Sequence, residues 1–312
     1  HGEYRRQRQM CIRDRPLDCL PGSLKSLEIN GDNFNQSLNN LPKSLISLKI
    51  LGDNFNQPLD NLPNILKSLK IHSHIFNQSL DNLPCTLESL EIHAHEFNQS
   101  LDMLPYTLKS LIIVSPIPNQ SIVSLTFNKP IDKLPKGLRA LKIDSCDFDQ
   151  HIDMLPETLR SLELSAASFC GDLDRLPKSL ELLDLNFHFF DEKLDKLPKS
   201  LMILRICSGT FLQSLDYLPE NLKELTFTCG IFNQSIINLP QMLNELVINA
   251  NILKLSKLTV KFPQSLKKLE ISTTDFEYPI NELPQNIRSL DIASASFDQP
   301  LINLPRSLVS LN

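Results

Sequence analysis

Proline sets the rhythm of this chain. It stands at Pro21, Pro42, Pro63, Pro84 and Pro105, again at Pro135, Pro156, Pro177, Pro198, Pro219 and Pro240, and finally at Pro263, Pro284 and Pro305. Within each run the step is 21 residues. Proline fixes its own φ and disfavours helix in the residue before it, so an L-P pair in every unit but one, where Phe262 precedes Pro263, rules out a long helix and plants a corner. A fixed period in the range of roughly 20–50 residues marks a solenoid, whose units stack because none buries its apolar face alone. The step lengthens to 30 residues between Pro105 and Pro135 and to 23 between Pro240 and Pro263, which places insertions near 115–129 and 253–262.

From each proline the unit reads P-x-x-L-x-x-L-x-I-x-x-x-x-F-N-Q-x-L-x-x-L, as in PCTLESLEIHAHEFNQSLDML at 84–104. Leu90 and Ile92 alternate with polar neighbours, the pattern of a short half-buried strand, and the same strand one unit on is expected beside it in parallel. Phe97 and Leu101 must then turn inward, since a single turn has no other core to fill. Phe occupies its column in eleven of thirteen units, with Pro118 and Leu253 as exceptions. The expectation is a stacked phenylalanine spine. The amides after it, Asn35-Gln36, Asn56-Gln57, Asn77-Gln78, Asn98-Gln99, Asn119-Gln120 and Asn233-Gln234, are expected to satisfy backbone groups of the next turn and one another. Ser26, Ser47, Ser68, Ser89, Ser110 and Ser161 share one strand position and read as a small-residue packing column, not as nucleophiles.

The L-x-x-L-x-I core with an apolar residue five positions on resembles the leucine-rich repeat, and the F-N-Q-x-L-x-x-L-P-x-S-L phrase is similar to its FNIP-repeat branch. The resemblance runs from Pro16 to Asn312. It departs two positions before the Phe, where the leucine-rich-repeat Asn is replaced by Asp32, Asp53, His74, His95, Cys146 and others; the Asn of F-N-Q is the candidate replacement. The resemblance implies a protein-interaction module, often carried behind an F-box that docks onto a ubiquitin-ligase complex. No F-box is visible in the sequence.

PLDCLP at 16–21 aligns with PLDNLP at 58–63, so repeat sequence begins in mid-unit. Before it, RRQRQMCIRD at 5–14 is also what a transposon-end adapter used in DNA library preparation encodes, and residues 1–15 are therefore read as an adapter-derived, non-native segment. A basic targeting arm is the rival reading. Residues 16–312 are expected to be a single solenoid of about thirteen 21-residue repeats, an internal fragment of a longer protein.

Removing residues 1–15, with five Arg against Glu3 and Asp14, takes the formal charge from −5 to −8. Nucleic-acid binding draws its affinity from Lys and Arg on phosphates, so an acidic solenoid argues against a nucleic-acid partner. No apolar run approaches a membrane span. Cys19, Cys85, Cys146, Cys170, Cys207 and Cys229 form no C-x-x-C and share no column, which suggests reduced thiols and a cytoplasmic setting. Phosphate-binding glycine loops and H-E-x-x-H are absent from the sequence. No enzymatic activity, catalytic residue or cofactor is expected.

Function is left to the outward strand columns. The middle column, Glu28, Lys49, Lys70, Glu91, Ile112, Lys142, Glu163, Asp184, Arg205 and onward, reads as a charge ladder in which Glu28–Lys49, Lys70–Glu91, Lys142–Glu163 and Asp184–Arg205 pair sideways. The next column holds Asn30, Leu51, His72, His93, Val114 and Asp144. Leu51, Ile112 and Val114 are apolar where the fold exposes them, a sign of a partner. Leu51, His72, His93, Ile112, Val114 and Asp144 are thus the candidate partner-binding residues, on the concave face of a leucine-rich-repeat-like right-handed solenoid with short 3₁₀ or extended segments behind and little α-helix. The partner is expected to be a protein, most concretely a substrate of an F-box-type adaptor. The alternatives are a structural or host-interaction scaffold and, through His72, His74, His93 and His95 in IHSHIF and IHAHEF, a Zn²⁺ or Cu²⁺ site. Copying of one repeat from the other accounts for the shared histidines equally well.

Overall fold

The computed structural model describes residues 9–10, 17–115, 126–168, 171–232, 236–253, 261–274, 276, 283–298 and 300–312. The chain forms two compact units, His1–Leu159 and Arg160–Asn312. The first contains β1 (Gln9–Met10), β2 (Ser26–Asn30), β3 (Ser47–Leu51), β4 (Ser68–His72), β5 (Ser89–His93), β6 (Ser110–Ser115) and β7 (Ala140–Ser145). Each strand pairs in parallel with the next in sequence. From β2 to β6 the register equals the repeat: Ser26, Ser47, Ser68, Ser89 and Ser110 face one another in turn.

Alternation does the sorting. Within SLKIL of β3, Leu48 and Ile50 are buried while Ser47, Lys49 and Leu51 lie half-buried on the outer face. The residue three after the repeat proline, Leu everywhere but at Ile287, donates its N–H to the proline carbonyl, at 2.9–3.0 Å from Leu24 to Leu159. The chain thereby turns from the L-P corner into the next strand. The serine column lies on the outer face, half-buried from Ser47 to Ser110, rather than packed in the interior.

The phenylalanine spine is present, with one correction. Phe34, Phe55, Phe76, Phe97, Phe127 and Phe148 stack in order, ring centroids 5.8–6.1 Å apart and planes within 7–13°. The gap expected at Pro118 is filled by Phe127, because the insertion lies before the Phe and displaces it along the chain. Residues 116–125 of that insertion, Asn119-Gln120 among them, lie outside the described residues, as do 254–260 of the second, Asn233-Gln234, Phe169 and Cys170. Of the segment 1–15, only Gln9 and Met10 are described.

The second unit contains β8 (Ser161–Ser168), β9 (Leu182–Phe189), β10 (Ile203–Thr210), β11 (Glu224–Phe232), β12 (Glu245–Leu253), β13 (Lys268–Thr273), β14 (Ser289–Ser294) and β15 (Ser310–Leu311), again parallel and in sequence order. Its strands β8–β12 run 8–9 residues, longer than the short strands expected. Glycine permits part of this extension. A Cβ on Gly230 would meet the Gly209 carbonyl at 2.7 Å, and one on Gly209 the His188 carbonyl at 2.9 Å. Leu253, an exception in the Phe column, pairs in register with Phe232 and is buried, so it takes the place of Phe there. Helix is confined, among the described residues, to 3₁₀ turns at Leu17–Cys19 and Leu173–Arg175.

Candidate functional site

Register assembles the candidate residues of the first unit into one row. Asn30 faces Leu51, Leu51 faces His72, His72 faces His93, His93 faces Val114, and Val114 faces Asp144. Ile112 stands in the neighbouring row, between Glu91 and Lys142. Leu51, His93, Ile112, Val114 and Asp144 are half-buried and His72 is exposed. Neighbouring parallel strands run about 4.8 Å apart, so the six form a continuous strip rather than scattered points.

The charges beside the strip are paired across strands. Lys49 donates to Glu28 at 3.0 Å and Lys70 to Glu91 at 2.5 Å. His93 Nε2 also reaches Glu91 Oε1, at 2.5 Å. In the second unit Arg205 lies 3.9 Å from Asp184, as expected, and 3.5 Å from Glu224. Exposed pairs of this kind contribute little to stability; here they neutralise the middle row and leave the apolar residues as its departure.

The four histidines form two stacked pairs. His72 and His93 have ring centroids 5.6 Å apart with planes 19° off parallel, and His74 and His95 have centroids 4.6 Å apart at 9°. His74 Nε2 lies 3.6 Å from Asp53 Oδ1. Burial, then the neighbouring His93, hold the His72 imidazole below its ordinary pKa; burial, then His74, do the same for His95. Among the described residues, no group of three or more His, Cys, Asp or Glu side chains is arranged to hold a metal ion.

The amides behave as a ladder. Asn35 Oδ1 accepts from the backbone N–H of Asn56 and from Gln57 Nε2, both at 3.0 Å, and Asn56 and Asn77 repeat the arrangement one unit on. Asn98 accepts from the Asn128 N–H, and Asn128 from Asp149 and Gln150, which carries the ladder past the insertion. A further column escaped the sequence reading. Beneath the strip, Gly31, Gly52, Ser73, Ala94, Ser115 and Ser145 are all small and occupy the position after the exposed row; Ser73 Oγ donates to the buried carbonyl of Phe55 at 2.8 Å and Ser145 to that of Phe127 at 2.8 Å. The signal was the recurrence of small residues at one column.

A cavity of about 520 Å³ is lined by Asn98, Gln99, Asp102, Lys129 and Lys133 among others, with Lys133 donating to Asp102 at 2.8 Å. Cys19, Cys85, Cys207 and Cys229 are free thiols, and burial pushes Cys229 up to about 11. No described helix is long and apolar enough to cross a membrane.

The profile described as FNIP Repeat matches residues 14–50 and 38–74. No curated protein sequence matches the chain. Among solved structures, CroV588, described as a novel circular leucine-rich-repeat protein, is 28% identical with a TM-score of 0.54 over 94% of this chain. This chain spans 53% of the length of CroV588. YopM from Yersinia enterocolitica WA-314 is 22% identical with a TM-score of 0.47, over 93% of this chain and 75% of its own. The chain thus carries FNIP-repeat sequence over residues 14–74, and its parallel solenoid is the leucine-rich-repeat-like fold that the resemblance implied. Such a fold suggests a protein-interaction module, and repeat proteins of this kind are typically non-enzymatic scaffolds.

Proposed function

We propose that the chain recognises a protein partner through the outer strip of its first unit, Leu51, His72, His93, Ile112, Val114 and Asp144. The observation that carries this reading is the in-register row: apolar Leu51 and Val114 flank two histidines, with Ile112 alongside, on a face whose other rows are serines and paired charges. Interface energy concentrates in a few apolar or aromatic anchors that lose water on binding. Solenoids bind on the exposed face of their strands because the inward columns are committed to the core. The finer form of the reading is the substrate-recognition region of an F-box-type ubiquitin-ligase adaptor. The FNIP phrase supports it, and free thiols support a cytoplasmic setting.

The test is capture of partners from an extract of the source cell by the parent chain and by an Ile112→Asp, Val114→Asp double variant. The double variant is expected to lose at least tenfold of the captured protein while its circular dichroism and melting stay near native, because both side chains are already partly exposed. Phe97→Asp serves as the unfolding control, since it buries a charge in the spine. Undiminished capture by the double variant contradicts the assignment of the strip. Whether ubiquitin-ligase subunits are among the captured proteins decides the adaptor form separately.

A further inference from the structure

The repeats IHSHIF and IHAHEF bring four imidazoles onto one patch of the outer face. β4 ends at His72 and β5 at His93, and just beyond them His74 and His95 stay solvent-accessible after buried Ser73 and Ala94, close enough to His72 to interact with it electrostatically. Register then stacks them in pairs, at 5.6 Å and 4.6 Å. Two imidazolium rings stacked this closely repel, so each proton added makes the next less favourable unless an anion arrives to share the charge.

The surroundings supply few competing charges. On the β3 side Lys49 is matched by Glu28, and Asp53 Oδ1 sits 3.6 Å from His74 Nε2. On β4 itself Lys70 is held by Glu91 of β5, which His93 also contacts. Glu96 is the remaining carboxylate beside His95. Toward β6 the neighbours are Ile112 and Val114, which carry no charge. Protonating all four rings therefore adds four positive charges against Asp53, Glu96 and a Glu91 that Lys70 already shares.

We propose that His72, His74, His93 and His95 form a proton-coupled oxyanion site that takes the carboxylates of an acidic partner segment at mildly acid pH and releases them as the imidazoles lose their protons. By linkage, an anion that binds only the protonated rings must raise their titration midpoints, and acid must tighten its binding. Burial and mutual repulsion already hold His72 and His95 below the ordinary imidazole value, so an anion that meets their protonated forms has a shift to produce. The site deepens the recognition reading, but its test does not depend on that reading because no protein partner is used.

The probes are sodium sulfate and hexaglutamate, titrated into the full chain at pH 5.5 and pH 7.5 at low chloride. The imidazole Cε1–H resonances serve as the readout. Both probes are expected to bind at least tenfold tighter at pH 5.5, to move the four histidine midpoints upward together, and to lose that binding in His74→Ala, His95→Ala. Asp53→Asn, which removes the competing carboxylate, is expected to tighten both probes. Binding that ignores pH or survives the double variant overturns the proposal, as do four midpoints that no probe moves. Saturable sulfate binding without hexaglutamate binding assigns the site to small free anions and overturns the partner half. Should the double variant unfold, the midpoint shifts of the parent chain decide alone.

Discussion

Ser73 shows how a single atom ties one turn of this solenoid to the next. The side chain is fully buried, and its hydroxyl lies 3.0 Å from the Asp53 carbonyl and 2.8 Å from that of Phe55, both in the preceding unit. A buried carbonyl left without a donor costs its full desolvation, so Ser73→Ala should destabilise by about 1–2 kcal/mol. Urea denaturation checks this: the midpoint should fall with little change in the slope. A midpoint equal to the parent's would show that the hydroxyl holds nothing. Gly52 marks the tight end of the same column, where a Cβ would meet the Gly31 carbonyl at 2.8 Å. The outward serines were legible in the sequence because they recur without interruption from Ser26 to Ser110. The inward column was harder to read because it varies among Gly, Ala and Ser, which share size but not polarity.

At the scale of the strand, charge runs across the sheet rather than along it. Glu88 sits between Lys67 at 2.9 Å and Lys109 at 2.5 Å, and hydrogen bonds from Lys109 and Lys67 bring its carboxyl down to about 2. The folded value is below the ordinary 4.5, so any stabilisation is complete above that value and is lost as pH falls toward 2. Glu88→Gln should therefore melt slightly below the parent at neutral pH, and the difference should vanish near pH 2. About 1 M salt should shrink it as well, since the triad is exposed and screening is then effective within about 3 Å. A difference that persists at pH 2 would assign the effect to packing. The strands and their pairing were legible because Leu and Ile alternate with polar residues at a constant period. The spine at the insertion was misread because the column was counted forward from Pro105, across the extra residues. Counted back from Pro135, as Phe97 stands from Pro105, the same column falls on Phe127.

Over the whole molecule, each 21-residue unit divides its work by column. Leu, Ile and Phe face inward, and in the first unit the core is a spine extended by one ring per turn from Phe34 to Phe148. Outward positions are free of that duty, and there Leu51, His72, His93, Ile112, Val114 and Asp144 depart from serine and paired charge. Membership of that row was legible in the sequence because parallel register reproduces the repeat. The stacking of the imidazoles was not, since ring orientation depends on Asp53, Glu91 and the flanking strands, which periodicity does not encode. The central claim is that partners are met by this row. Hydroxyl-radical footprinting of the chain with a captured partner tests it most directly: protection should concentrate on Leu51, His72, His93, Ile112 and Val114 and leave exposed Met103, Tyr106 and Met154 reactive. Protection of those three turn residues, or of Phe189, Ile231 and Ile252 in the second unit, with the row still reactive, would contradict the account.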